Sequence, residues 1–382
     1  MQNYYEQHVF NEVPNVAVQL SLVGSLGLAF LRLMGPVAQW LAPKISQQGV
    51  LVLGCAMKAL GMICAGFSRE IYQLYICQGI IFGSGASFMY YTSQQIVVSG
   101  WFDGRKGIAL GLIASGSGLG GLIIPFIMSP INNRLGPDWT FRILGFVCLA
   151  MDGMACLMIK EFPDQERQSE KKNQKLREII RLSVFKSGNY WLWMIASCIT
   201  LLGYFNPFYF LPSYGRYYAG MTDNQGSLLV AIISIFNFVG RASTGVLADY
   251  LGQLNTIILF NFISSLACFL LWGYAFTFGS MIAFSAVFGM TCGCYFSVLS
   301  PVTSIILGKA LFPTGLSFLL ITNILGVFGP NFASSLESDL VSQSNYQPYF
   351  SYKMWSGACY LASCVVLLIL RFRMAKQWNK II

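Results

Sequence analysis

Charges lie inside several stretches that are otherwise apolar, among them Arg32 in Val18–Leu41, Lys58 in Gly49–Phe67, Asp152 in Trp139–Ile159 and Arg241 in Ser227–Ala248. A guanidinium keeps its charge and offers a planar fork that suits a carboxylate. Inside hydrocarbon such a charge needs a partner, a ligand or a route to the nearest interface. For Arg241 the choice is a fixed cation for an anionic ligand or an arginine snorkelling outward. Asn237, one helical turn earlier, adds an amide. Arg32 reads as a counterpart of Arg241 or as an interface anchor. Lys58 and Asp152 have opposite signs at similar depth, which predicts a structural ion pair, with a proton site as the alternative. Asp249 follows Gly245 by four residues, and its carboxylate suits backbone donors or a helix N-terminus.

Two further groups could carry chemistry. Asp103, Arg105 and Lys106 form a charged turn, readable as anchors at a membrane face. Around Gly203, Pro207 and Pro212 gather Tyr204, Phe205, Phe208, Tyr209 and Tyr214. Proline removes a backbone donor and kinks a helix. The aromatics are either an interfacial belt or a wall that stacks on a planar ligand. The only histidine, His8, lies in the polar N-terminal segment, and the eleven cysteines are scattered singly. Cys292 and Cys294 are the closest pair, a spacing that is neither a metal nor a redox motif. No cluster of His, Cys or acidic residues is gathered for catalysis, so neither an enzyme nor a metal or other cofactor is expected.

The elements that must position these residues are membrane helices. Hydrophobic residues make up 55% and charged residues 10% of the 382-residue chain, with a mean hydropathy of +0.59. Soluble domains of this size do not show such values. The net charge of +9 sits between apolar runs rather than along one face, which argues against nucleic acid. Eleven apolar segments are long enough to span a bilayer, from Val18–Leu41 to Tyr349–Leu370. They divide the chain into an outer segment 1–17, a helical bundle 18–159, a basic linker 160–188, a second bundle 189–370 and a tail 371–382. With the linker placed in the cytoplasm, that side holds sixteen Lys and Arg and the other side four. This bias predicts a cytoplasmic C-terminus and an outer N-terminus.

One segment is built for contact. After the Asp103–Lys106 turn, about 22 residues run uncharged to Met128, enough at 1.5 Å each for a ~30 Å hydrocarbon core. Gly107, Gly111 and Ser115, then Ala114 and Gly118, recur at helical spacing. Small side chains are what allow helices to approach in lipid. A phosphate-cradling loop would need a preceding strand and a Gly-Lys-Ser/Thr ending, and neither is present.

A weak repeat relates the halves: Gly35 to Gln39 parallels Gly245 to Asp249, and Phe82-Gly83 parallels Phe288-Gly289. The stretch from Gly245 to Gly252 resembles the Gly-xxx-Asp loop motif of the major facilitator superfamily. Trp101 to Ala109 with Pro125 behind it, Trp139 to Phe146, Gly203 to Tyr214 and Asn237 to Arg241 are similar to the fungal monocarboxylate transporter-like branch. The resemblance covers nearly the whole chain. It implies an all-α membrane protein of two six-helix bundles, here helices 2 to 12, since the first span corresponds to family helix two. The helix-one lysine then has no counterpart, and a truncated or mis-started gene product is expected, with a native eleven-helix chain as the alternative. In the animal members an aspartate stands where this chain has Asn237.

The resemblance also implies a function. It is a secondary-active transporter of a monocarboxylate or other organic anion by alternating access, in the plasma membrane or an organelle such as the vacuole. A small-molecule substrate, a co-transported proton and the lipid bilayer are the partners implied. Arg241, Asn237, Tyr204 and Tyr209 would face the substrate. Asp249, Gly245, Asp103, Arg105, Pro207 and Pro212 would serve the gates. The alternatives are a riboflavin-like neutral or planar substrate, and a non-transporting sensor or inactive remnant.

Overall fold

Helix is the only way an apolar chain satisfies its backbone in hydrocarbon without closing a barrel, and no strand occurs among the described residues. The structure, a computed structural model, describes residues 16–98, 106–159, 180–217, 220–341 and 349–374. Asp103 and Arg105, the polar segment before residue 16, most of the linker and the end of the tail lie outside the described residues.

Bends follow local chemistry. Helices α1 (Val16–Leu33) and α2 (Gly35–Ile45) meet at 50°. Pro36 has no N–H for the Arg32 carbonyl, and its ring pushes that carbonyl aside. Helix α3 (Gln47–Ala65) is capped by Ser46, whose Oγ accepts from the Gly49 N–H at 3.1 Å. Helix α4 (Ile71–Leu74) passes through a π-helical stretch, Tyr75–Ile81, into α5 (Phe82–Ile96). Helix α6 (Lys106–Met158) turns at Gly136, whose φ of 80° favours glycine, and restarts at Pro137. Helices α7 (Gly188–Tyr204) and α8 (Asn206–Tyr217) are separated by a bend at Phe205. Then come α9 (Asp223–Leu251) and α10 (Gln253–Leu266), the latter extended by a π-helical stretch. Helices α11 (Phe278–Cys292), α12 (Cys294–Val327, turning at Gly308), α13 (Gly329–Val341) and α14 (Phe350–Met374) complete the chain.

Among the described residues eight helices are long and apolar enough to cross a membrane, and the bent α1–α2 pair makes nine. The sequence reading gives eleven segments. The counts differ in two places: Phe278–Glu337 is one 60-residue run despite its turn at Gly308, and Ile71–Ile96, with its Gly, Ser and Gln residues, is less apolar and is not among the eight.

The chain forms two compact units. One comprises Met1–Trp101, Ile124–Leu182 and Pro313–Ile321; the other comprises Phe102–Ile123, Ser183–Phe312 and Thr322–Ile382. In the first, Gln39 grips the start of the short α12 segment. Its Nε2 donates to Thr314 Oγ1 at 2.9 Å, and Ser317 Oγ donates to its Oε1 at 3.0 Å. Arg142 Nε and one terminal nitrogen donate to the Gly66 carbonyl at 3.1 and 2.8 Å, with the Phe67 ring beneath.

Lys58 Nζ and Asp152 Oδ2 lie 2.8 Å apart in this unit, with side chains 22% and 19% exposed. Each charge offsets the other's desolvation, so removing one leaves the other stranded. Lys58→Met and Asp152→Leu should each lower the melting temperature in detergent. The double variant should recover most of the loss, with a coupling of about 0.5–3 kcal/mol. Additive losses would mean that the pair does not act as a pair.

Candidate functional site

Asn237, Arg241, Gly245 and Asp249 recur every fourth residue on α9 and therefore share one face. Within the second unit that face meets the first part of α6. The approach is set by glycine. A Cβ at Gly245 would stand 2.3 Å from the Gly107 carbonyl oxygen, and one at Gly111 would stand 2.7 Å from Gly245 Cα and 2.8 Å from the Arg241 carbonyl oxygen. Any side chain at these positions would push the helices apart. The small residues 107 and 111 thus do their packing against α9.

At one end of this seam Asp249 caps α6. Its Oδ1 accepts from the Gly107 N–H at 2.9 Å and its Oδ2 from the Ile108 N–H at 3.0 Å. The first N–H groups of a helix have no partner in the helix itself, and they carry its positive end. Gln253 Nε2 donates to Oδ1 from the next helix at 3.4 Å.

Two turns along α9, Arg241 is 6% exposed. One terminal nitrogen donates to the Ala114 carbonyl at 3.0 Å and, more closely, to Ser117 Oγ; the other donates to Tyr204 OH at 3.0 Å. The Phe296 ring lies under the guanidinium, 4.4 Å from ring centre to Cζ. Nε makes no hydrogen bond. Three of five N–H groups are thereby used, all on neutral acceptors. Among the described residues no carboxylate pairs with Arg241. Asn237, 3% exposed, donates to Cys292 Sγ at 3.2 Å and weakly to the Gly289 carbonyl at 3.5 Å.

Tyr204 is the last residue of α7, with ring centroids of Phe205, Phe208 and Phe296 at 4.9, 5.3 and 5.1 Å. Pro207 stands at the start of α8, where a missing N–H costs little, and Pro212 lies inside α8. The structure thus brings together Asn237, Arg241 and Tyr204, and along the same seam Gly245 and Asp249. Tyr209 is not part of this cluster; it lies on α8 and is 60% exposed. Lys58 and Asp152 belong to the other unit. Ser117, Phe296 and the Ala114 carbonyl join the site without any signal of their own in the sequence. The spacing of small residues around Ala114 marks a contact face but not its partner.

Residues 15–336 match the family described as Major Facilitator Superfamily. The MFS-type transporter pynF of Aspergillus niger is 29% identical over 364 residues, which cover 94% of this chain and 81% of that protein. Monocarboxylate transporter 10 of Rattus norvegicus is 25% identical over 344 residues, 86% of this chain and 66% of that protein. The solved structure of the proton:xylose symporter XylE aligns with a TM-score of 0.76 at 14% identity, covering 96% of this chain and 89% of that one. At that identity the likeness is one of fold.

Proposed function

As a member of the Major Facilitator Superfamily the chain is a multi-pass membrane transporter and not an enzyme, and we propose that its cargo is a small organic anion moved by alternating access. The observation that carries this reading is the guanidinium of Arg241: buried, held by neutral acceptors, and without a carboxylate partner among the described residues. An anionic substrate supplies the missing charge, and Nε with the spare hydrogen of its neighbour offers two donors to a carboxylate. Tyr204 and Phe296 bring an aromatic lining to the same place. The printed name of the rat relative, a monocarboxylate transporter, agrees with this substrate class. Asp249 and Gly245 hold α6 against α9 and act as the closing end. Asn237 is an amide and neither takes up nor releases a proton, so proton coupling is not assigned to the Asn237–Arg241 pair. The plasma membrane is the proposed location, and imaging of a tagged chain on an organelle rim instead would exclude it.

The test uses the full chain reconstituted in vesicles, with phenyllactate as the probe and its neutral amide as the control. The expected result is saturable entry of the anion and little of the amide. Equal entry of both would replace this reading with a neutral, planar substrate held by Asn237 and the aromatic side chains.

A further inference from the structure

Helix α11 ends at Cys292 and α12 begins at Cys294, with Gly293 between them at φ −80° and ψ −6°. Any residue adopts that backbone, so conformation does not call for glycine. Space does. A Cβ at Gly293 would fall 2.6 Å from Asn237 Nδ2, 2.7 Å from Arg241 Nε and 2.9 Å from Arg241 Cγ. The obstructing atoms belong to two side chains and not to a backbone. Nearby glycines differ in this respect. A Cβ at Gly240 would meet the Met290 carbonyl oxygen at 2.1 Å, and one at Gly289 would meet the Ile233 carbonyl oxygen at 2.6 Å. Those two glycines keep α9 and α11 in contact.

We propose that Gly293 is a positioning residue of the anion site: its missing side chain is the seat in which Arg241 and Asn237 rest. This inference rests on the organic-anion reading of Arg241. With the seat open, the guanidinium reaches Ala114, Ser117 and Tyr204 together, and Nε lies beside the break between α11 and α12. A methyl group there would crowd Asn237 Nδ2 and the Cγ and Nε of Arg241, side-chain atoms that can shift where a backbone cannot. Gly293 therefore sets where the cation stands, and through it how well a carboxylate fits.

The experiment compares Gly293→Ala, Gly293→Val and Gly240→Ala in the reconstituted full chain, with phenyllactate as the probe. Misplacing a binding group by about 1 Å can cost up to about 100-fold. Gly293→Ala is expected to raise KM about tenfold with kcat near wild type and a smaller loss of melting temperature than Gly240→Ala, and Gly293→Val to raise KM further. Gly240→Ala, which meets backbone, should instead lower the melting temperature. A solved structure of Gly293→Ala should show the guanidinium moved off Ala114 and Ser117. An unchanged KM, an unmoved guanidinium, or a stability loss like that of Gly240→Ala would each overturn the proposal. Failure of the anion reading looks different. There, Arg241→Ala transports like wild type or wild type takes up no phenyllactate, and the position of Arg241 in the Gly293→Ala structure still decides whether the seat exists.

Discussion

Arg241→Ala, at matched expression, should lose at least about 30-fold in kcat/KM for an anionic substrate, and Arg241→Lys about tenfold. The first figure corresponds to about 2 kcal/mol, the lower end of what truncating a buried, hydrogen-bonded charge costs. The lysine variant is the more informative. It keeps a positive charge but not the planar fork, so it cannot serve Ala114, Ser117 and Tyr204 and still present two donors to a carboxylate. Insertion and helicity should survive both changes, because the α6–α9 seam also rests on Gly107, Gly111 and Gly245. Full activity in Arg241→Lys would mean that a point charge is enough. Full activity in Arg241→Ala, in vesicles shown to transport, would remove the anion site and favour a neutral substrate.

Gly245→Val should stop turnover by holding α6 and α9 apart. Its first side-chain carbon would start 2.3 Å from the Gly107 carbonyl oxygen, and backbone cannot step aside as a flexible side chain can. Overpacking of this kind costs about 1–3 kcal/mol. At 1.4 kcal/mol per tenfold that shifts a two-state equilibrium about 5- to 150-fold against the packed arrangement. The same separation breaks the bonds from Gly107 and Ile108 to Asp249, so Asp249→Asn should show a weaker form of the defect. Spin labels placed on α6 and α9 near residues 107 and 249 would report the distance. A short, unchanged distance in Gly245→Val with transport intact would show that the glycine seam has no part in the cycle.

Much of this arrangement is written locally. Apolar length and composition require helices, because hydrocarbon offers the backbone no other partner. Spacing by four places Asn237, Arg241, Gly245 and Asp249 on one face, because turns of 3.6 residues stack every fourth side chain. Glycines at 107 and 111 mark a face open to close approach for the same reason. The opposite charges of Lys58 and Asp152 are visible in the sequence, although their 2.8 Å approach is not.

Packing between helices decided the rest, since periodicity says which residues share a face and nothing about what that face meets. The α9 stripe meets α6, and the acceptors of Arg241 are a serine, a carbonyl and a tyrosine that no spacing rule links to it. Phe296 is one phenylalanine among 30. Tyr204 and Tyr209 read alike as members of one aromatic group, yet the bend at Phe205 redirects the chain between them, and they are 7% and 60% exposed. Lys353 counts as an outer charge in the sequence but is 4% exposed, with its Nζ 3.9 Å over the Tyr214 ring. Gly293 looks like any glycine in an apolar helix. Only the packed structure shows two polar side chains resting where its own would be, because that contact joins residues more than fifty positions apart.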